Sequence, residues 1–256
     1  MKVSIITATF NSDETIMDAL ISVKNQSYKN VEHIIIDGES SDNTLQIIKS
    51  FDSKNIKVIS EKDDGIYDAM NKGLNIASGD IVGLLNSDDL LNSNLSIQHV
   101  IDALSSDDID ACYGDLAYVN KENNKIIRYW KSEDFFPGKF GKGWAPPHPT
   151  FYVKTKTLID NRFDLRYSIS ADVELMSRLM EVQKIKTSYI PKTLVRMRVG
   201  GASNGSFKSI ILQNFEVIRS FNANNIRYNL PLFVIKKLFN RFGQYIFALK
   251  KNKELK

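Results

Sequence analysis

Val31-Glu32-His33-Ile34-Ile35-Ile36, followed by Asp37-Gly38-Glu39-Ser40-Ser41-Asp42, is the stretch that decides the fold. Side chains alternate across a pleated strand, so three consecutive isoleucines place apolar groups on both faces. Such a strand belongs inside a sheet that is covered on both sides. The polar run ends it. From Asp42 onward Leu45, Ile48 and Phe51 form the buried stripe of a helix. The same unit repeats outward. Residues 3–7 read as a strand before a helix over 13–26, which carries Ile16, Leu20 and Val23 on one face. Residues 56–59 read as a third strand, 65–77 as a third helix and 81–85 as a fourth strand. The pattern predicts an α/β fold, a Rossmann-like and mostly parallel central sheet with helices on both faces. Right-handed crossovers then gather the carboxyl ends of the strands on one edge, where ligands bind.

That edge carries Thr9-Phe10-Asn11, then residues 37–42, then Lys62-Asp63-Asp64-Gly65, then Asn86-Ser87-Asp88-Asp89. Asp13 and Asp42 are expected to cap the helices that follow them. Asp37 stands well before its helix and is either a turn residue or a ligand contact. The adjacent Asp88 and Asp89 repel each other unless a cation or donor sits beside them. No glycine-rich turn follows the first strand, which excludes the dinucleotide fingerprint, and no Gly-x-x-x-x-Gly-Lys loop occurs. A nucleotide bound here would need a metal held by acids.

The middle of the chain is less regular. Residues 110–119 and 125–130 read as a β-hairpin with a polar turn. Residues 135–144 read as a mobile loop, and 145–153 as a proline-stiffened approach into another strand. Residues 170–182 read as a helix burying Val173, Leu175, Met176 and Leu179, and 185–190 as a final strand. Residues 200–205 read as a flexible glycine-rich loop.

The chain has 256 residues, 43% hydrophobic and 25% charged, which excludes a disordered or fibrous protein. The single cysteine, Cys112, excludes an intramolecular disulfide framework and a cysteine-based zinc site, and fits a reducing compartment. The net charge of +4 is a sum of unlike parts. Residues 207–256 hold ten basic and two acidic residues, a net +8; the rest holds 24 basic and 28 acidic, a net −4. No signal peptide is evident, and no apolar run approaches the roughly 20 residues of a membrane span. The expected location is cytoplasmic. Within residues 232–249, Ile235, Leu238, Phe239, Phe242, Ile246 and Leu249 recur at helical spacing, flanked by Lys236, Lys237, Arg241 and Lys250. A basic amphipathic helix suits an anionic membrane surface. Packing on the body, or on a second copy in a homodimer, is the other reading of that stripe. No nucleic-acid module accompanies the charge, so no nucleic-acid partner is expected.

Strand-Thr-Phe-Asn, Ile-Asp-Gly-Glu-Ser-Ser-Asp-Asn-Thr and Leu-Asn-Ser-Asp-Asp resemble the motifs of inverting family 2 glycosyltransferases with a GT-A fold. Asp63-Asp64-Gly65-Ile66-Tyr67-Asp68-Ala69-Met70-Asn71-Lys72-Gly73, Pro147-His148-Pro149-Thr150-Phe151 and Ser170-Ala171-Asp172-Val173-Glu174-Leu175 are similar to the members that build bacterial surface polysaccharides. The resemblance covers residues 2–205 and implies a transferase domain over 1–205 with a basic helical extension over 206–256. It implies a nucleotide-sugar donor, a UDP-sugar first, and a lipid-linked saccharide acceptor in O-antigen, capsule or exopolysaccharide synthesis at the inner face of the membrane. By the same resemblance Thr9, Phe10 and Asn11 sit against the nucleotide, Asp37 against the base and Asp64 against base or ribose. Asp88 faces the ribose or donor sugar, and Asp89 ligates Mn²⁺ or Mg²⁺. Ser87 replaces the first acid of that element, which favours one strong ligand plus diphosphate oxygens and water. Asp172 matches the catalytic base, Gly201 and Ser203 the loop over the diphosphate.

Each role has a structural rival. Asp88 and Asp89 could form a plain loop, and Asp172 could be an N-cap. Glu174 is the rival base, but two positions along a helix turn it to another side. His148, locked between prolines, could touch diphosphate, metal or acceptor. Trp144 could stack on an acceptor sugar or belong to the core. A nucleotidyltransferase on a related fold would need a basic triphosphate loop after the first strand, which residues 7–12 lack. A non-catalytic peripheral membrane protein is the remaining alternative.

Overall fold

The computed structural model describes residues 1–122, 125–199 and 207–254. The N-terminal half alternates as expected: β1 (Val3–Thr9), α1 (Ile16–Lys24), β2 (Val31–Asp37), α2 (Thr44–Ser50), β3 (Ile56–Ser60), α3 (Ile66–Ile76) and β4 (Ile81–Leu84). Then come β5 (Asp89–Leu91), α4 (Ser96–Ala103), β6 (Ala111–Val119), β7 (Ile126–Trp130), β8 (Tyr152–Lys154) and the single turn α5 (Thr155–Leu158). α6 (Ala171–Ser177), β9 (Thr187–Arg198), α7 (Phe207–Ala223) and α8 (Leu230–Glu254) complete the chain.

One sheet of nine strands runs β3-β2-β1-β4-β8-β6-β9-β5, with β7 added to β6. β3, β2, β1 and β4 are parallel. β8 joins them antiparallel to both β4 and β6. The three isoleucines of β2 divide as the pattern requires. Ile34 and Ile36 enter the core beneath α3, while Ile35 packs with Ile16, Leu20 and Ile48 from α1 and α2.

Several local expectations change. Asp42 does serve its helix, its Oδ1 accepting the Thr44 N–H at 3.0 Å. Asp13 caps nothing: α1 begins at Ile16, and the Asp13 N–H donates to Asp42 Oδ2 at 3.1 Å, tying two loops together. Residues 135–144 are anchored. Phe135, Phe140 and Trp144 pack ring on ring, and the Glu181 carboxylate accepts the N–H groups of Gly138 and Phe140. The expected 170–182 helix is α6 continued by a π-helical turn, Arg178–Val182. The last strand runs on to Arg198 because β6 and β5 both pair with its far half, past register shifts at Gly114 and Asp115 that absorb Pro191. The loop at 200–205 lies outside the described residues.

α8 is longer than the expected 232–249 stripe, and that stripe turns away from the body. Phe233, Lys237, Gln244, Ala248 and Asn252 lie on its more buried side, and Asn252 exchanges two hydrogen bonds with the Ile126 backbone on β7. Leu238, Phe239, Phe242 and Leu249 are 67, 72, 66 and 66% exposed. No helix among the described residues is long and apolar enough to cross a membrane.

Candidate active site

Three loops meet at the carboxyl edge of β1, β2 and β4. The Asn11 N–H donates to Ser40 Oγ at 2.8 Å, and Asn11 Oδ1 accepts the Ser41 N–H at 2.9 Å. Asn11 takes a positive φ of 47°, a conformation asparagine tolerates. The Ser12 N–H donates to Thr44 Oγ1 at 2.7 Å, and the Ser12 and Ser87 hydroxyls meet at 2.9 Å. Ser87, where the resemblance expects an acid, therefore fastens the β4 loop to the β1 loop. Thr9 is 4% exposed, and its Oγ1 has no partner. Phe10 projects outward at 61% exposure. Asp37 is fully buried; it accepts hydrogen bonds from the Ser40 hydroxyl and N–H and from Ser60 Oγ at 2.7 Å. It thus holds the 37–40 turn. Asp64 is exposed, whereas its neighbour Asp63 reaches that turn: a Cβ on Gly38 would lie 2.6 Å from Asp63 Oδ2. The motif drew attention to Asp64 and missed Asp63.

Asp88 is partly buried and Asp89 completely so. Asp89 Oδ2 accepts from Asn86 Nδ2 at 3.1 Å, while Oδ1 is buried with no partner. Burial raises the Asp89 pKa well above the ordinary carboxylate value and the Asp88 charge adds to this, against the pull of Asn86 and Arg198. Asp88 is raised by its own burial. An orphaned carboxylate oxygen beside a second carboxylate fits a hard divalent cation on oxygen ligands. Among the described residues no group of three or more His, Cys, Asp or Glu gathers, so substrate oxygens and water would complete the shell. The Arg198 guanidinium stands near both carboxylates, acts on their pKa values and pairs with Asp18. Arg198 went unnoticed in the sequence because the strand was expected to end at residue 190.

Asp172 stands in the first turn of α6, beyond the N-cap Ser170. Its Oδ1 accepts the Tyr67 hydroxyl at 3.0 Å, and its Oδ2 lies 3.0 Å from His148 Nδ1. Burial would raise its pKa, but His148, Tyr67 and the Val173 N–H together bring it below the ordinary value. Behind the pair lies an apolar cavity of about 30 Å³, lined by Leu74, Val82, Phe151 and Leu175 among others. The Glu216 carboxylate on α7 accepts from Ser168, Ile169 and Ser170, holding the chain that leads into α6. Glu174 is bound by Arg178 at 2.8 Å and Asn224 at 3.0 Å, so it is a structural carboxylate. Trp144 packs on Phe135, Phe140 and Tyr113 as part of the core edge. Gly201 and Ser203 lie outside the described residues.

The fully buried Asp89 thus has an unpartnered oxygen beside the partly buried Asp88, and a third carboxylate, Asp172, is oriented separately by Tyr67 and His148. The sequence profile of glycosyl transferase family 2 matches residues 4–165. The chain belongs to glycosyl transferase family 2. An uncharacterised glycosyltransferase of Methanocaldococcus jannaschii is 24% identical over 258 aligned residues, covering 96% of this chain and 88% of its own. The Escherichia coli transferase WfgD, a UDP-Glc:α-D-GlcNAc-diphosphoundecaprenol β-1,3-glucosyltransferase, is 34% identical over 126 residues, about half of each chain (49%). The mannosyltransferase PcManGT of Pyrobaculum calidifontis, solved with GDP-Man and Mn²⁺, superposes with a TM-score of 0.67 over 99% of this chain and 75% of its own at 16% identity. The family 2 chain has the GT-A fold.

Proposed function

We propose that this family 2 transferase moves a sugar, with inversion, from a UDP-sugar to a lipid-linked saccharide in bacterial polysaccharide synthesis at the inner membrane surface. The observation that carries the reading is the fully buried Asp89, its Oδ1 unpartnered, beside the partly buried Asp88. Asp89, with Asp88 beside it, would hold Mn²⁺ or Mg²⁺, which supplies Lewis-acid neutralisation of the departing nucleoside diphosphate. The metal in PcManGT and the UDP-linked donor named for WfgD support this choice. Thr9, Phe10, Asn11, Asp37 and Asp64 are assigned to the nucleotide, with Asp63 added as the acid that reaches the 37–40 turn. Asp172 takes the proton of the acceptor hydroxyl. His148 and Tyr67 orient its carboxylate, and its lowered pKa keeps it ionised. Inversion proceeds in one displacement and needs no enzyme nucleophile. The body over 1–205 carries transfer, and the extension over 206–256 carries attachment. The outward apolar face of α8, flanked by lysine and arginine, supports a peripheral membrane contact.

The test is calorimetry of UDP and GDP with and without Mn²⁺. UDP binding should require the ion and lose that requirement, with most of its affinity, in Asp89→Ala. Equal UDP binding in EDTA and Mn²⁺ would overturn the assignment.

A further inference from the structure

Cross-strand pairing places Asp89 on β5, Met197 on β9, Tyr118 on β6 and Arg128 on β7 in one row. At the strand spacing of about 4.8 Å, Tyr118 lies roughly 10 Å and Arg128 roughly 14 Å along the sheet from Asp89. Arg128 is 8% exposed, its guanidinium lies 3.5 Å from the Tyr118 ring centre, and its Nε has no hydrogen-bond partner. α8 adds two more cations, Lys237 and Arg241, one helical turn apart. Lys237 Nζ donates to Asn214 Oδ1 at 2.7 Å, and a Cβ on Gly143 would come within 3.4 Å of the Lys237 backbone nitrogen.

Electrostatics connects the group. Burial and then the Arg241 charge press Lys237 down to about 8, against the pull of Asp172. Burial also lowers Arg128, and Arg241 adds to it. Arg128 is thus coupled to Arg241, Arg241 to Lys237, and Lys237 to Asp172. Among the described residues none of the three is in an ion pair with a carboxylate. Arg128, buried, and Lys237, half-buried, lack a counterion, and the exposed Arg241 stands one helical turn from Lys237; cations so placed make an anion site.

The donor diphosphate already has the Asp88-Asp89 pair with its ion, and Arg198. α8 offers something a nucleotide would not use: Leu238, Phe239 and Phe242 stand exposed beside Lys237 and Arg241. A diphosphate attached to an isoprenoid chain uses both sides of such a helix. We propose that Arg128, Lys237 and Arg241 bind the diphosphate of an isoprenoid-linked acceptor and so hold its sugar at Asp172. The inference rests on the transferase reading and adds the acceptor's anchoring group.

The experiment is calorimetry on the full chain and on Lys237→Met and Arg241→Gln. Farnesyl diphosphate in EDTA, farnesol, and UDP with Mn²⁺ are the three probes. Farnesyl diphosphate should bind more tightly than farnesol and lose about tenfold in each variant, the worth of one charge-assisted hydrogen bond. Farnesol and UDP with Mn²⁺ should bind both variants as they bind the parent. An equal loss of UDP binding would give the cluster to the donor and overturn the proposal. So would farnesyl diphosphate binding that neither variant weakens. Failure of UDP to bind the parent chain would instead count against the transferase reading.

Discussion

Asp172→Asn isolates the proposed base. The carboxylate is 14% exposed and held on both oxygens, by Tyr67 and by His148 Nδ1, at 3.0 Å each. Asparagine has the same shape. Its Oδ1 keeps the Tyr67 hydroxyl, and its amide can donate to Nδ1 once the neutral imidazole places its proton on Nε2. The fold should therefore stay intact, and the proposed donor site on β1, β2 and β5 is not touched. What is lost is the ability to accept a proton. General-base assistance is worth roughly 10²–10⁴ in rate, or about 3–5 kcal/mol of barrier. Release of UDP in the presence of acceptor should fall by that factor, while calorimetric UDP affinity with Mn²⁺ stays within about twofold of the parent. The pH profile sharpens the test. The pKa of Asp172 lies below its ordinary value of 3.8, so the base is ionised and the rate flat on the acid side across pH 5–8. A full rate in Asp172→Asn would refute the assignment. An acid limb within pH 5–8 would show that a group other than Asp172 has the role of taking the proton. Glu174 would not inherit it, since Arg178 and Asn224 occupy its carboxylate.

Glu216→Gln should cost stability and activity together. The amide keeps one acceptor but turns its NH₂ towards N–H donors at Ile169 and Ser170, losing about 3–5 kcal/mol by chemical denaturation. Transfer should fall because those residues lead into Asp172; an unchanged denaturation midpoint would contradict the geometry. His33, buried with its ring 2.9 Å from Thr7 Oγ1, is held down to about 4 by burial. Its unfolded value is higher, so the unfolded chain binds the proton first. Stability is full above about pH 6.5 and falls as pH drops from there through 4, by about 3 kcal/mol. His33→Gln should shrink the difference between urea midpoints at pH 7.5 and 4.5. On α8, Leu238→Ser, Phe239→Ser and Phe242→Ser combined should leave the melting temperature unchanged and reduce flotation with anionic vesicles at least tenfold. Unchanged flotation would refute the membrane contact, and loss of a dimer instead would assign the face to a second copy.

The first four strands were legible because their signal is local: three isoleucines in a row, a polar break, then a helical stripe. Asp42 and Asp13 show where local reading stops. Both precede a helix, yet only Asp42 accepts a first-turn N–H, that of Thr44; α1 starts three residues after Asp13, whose backbone N–H is tied to Asp42. Pairing across the sheet explains the longer miss at β9. Pro191 and Lys192 look like an end, and only β5 and β6, distant in sequence, supply partners that carry the strand to Arg198.

The site divides in the same way. Asp88, Asp89, Asp172 and His148 stood in recognisable short motifs. Tyr67 did not stand out, because its contact with Asp172 spans 105 residues, and Glu216 acts from a helix after the glycine-rich loop. α8 carries the strongest argument for reading side chains against a structure. Periodicity located its apolar stripe but carried no sign for its direction. An apolar stripe turns inward when the body offers it an apolar surface. Here β7 offers the Ile126 backbone and α7 offers Asn214, so Asn252 and Lys237 turn in and Phe239 and Phe242 are left outside. Hydrophobic burial within one chain would have selected the opposite rotation. The exposed stripe, with lysine and arginine beside it, is therefore the surface on which the proposed membrane contact rests.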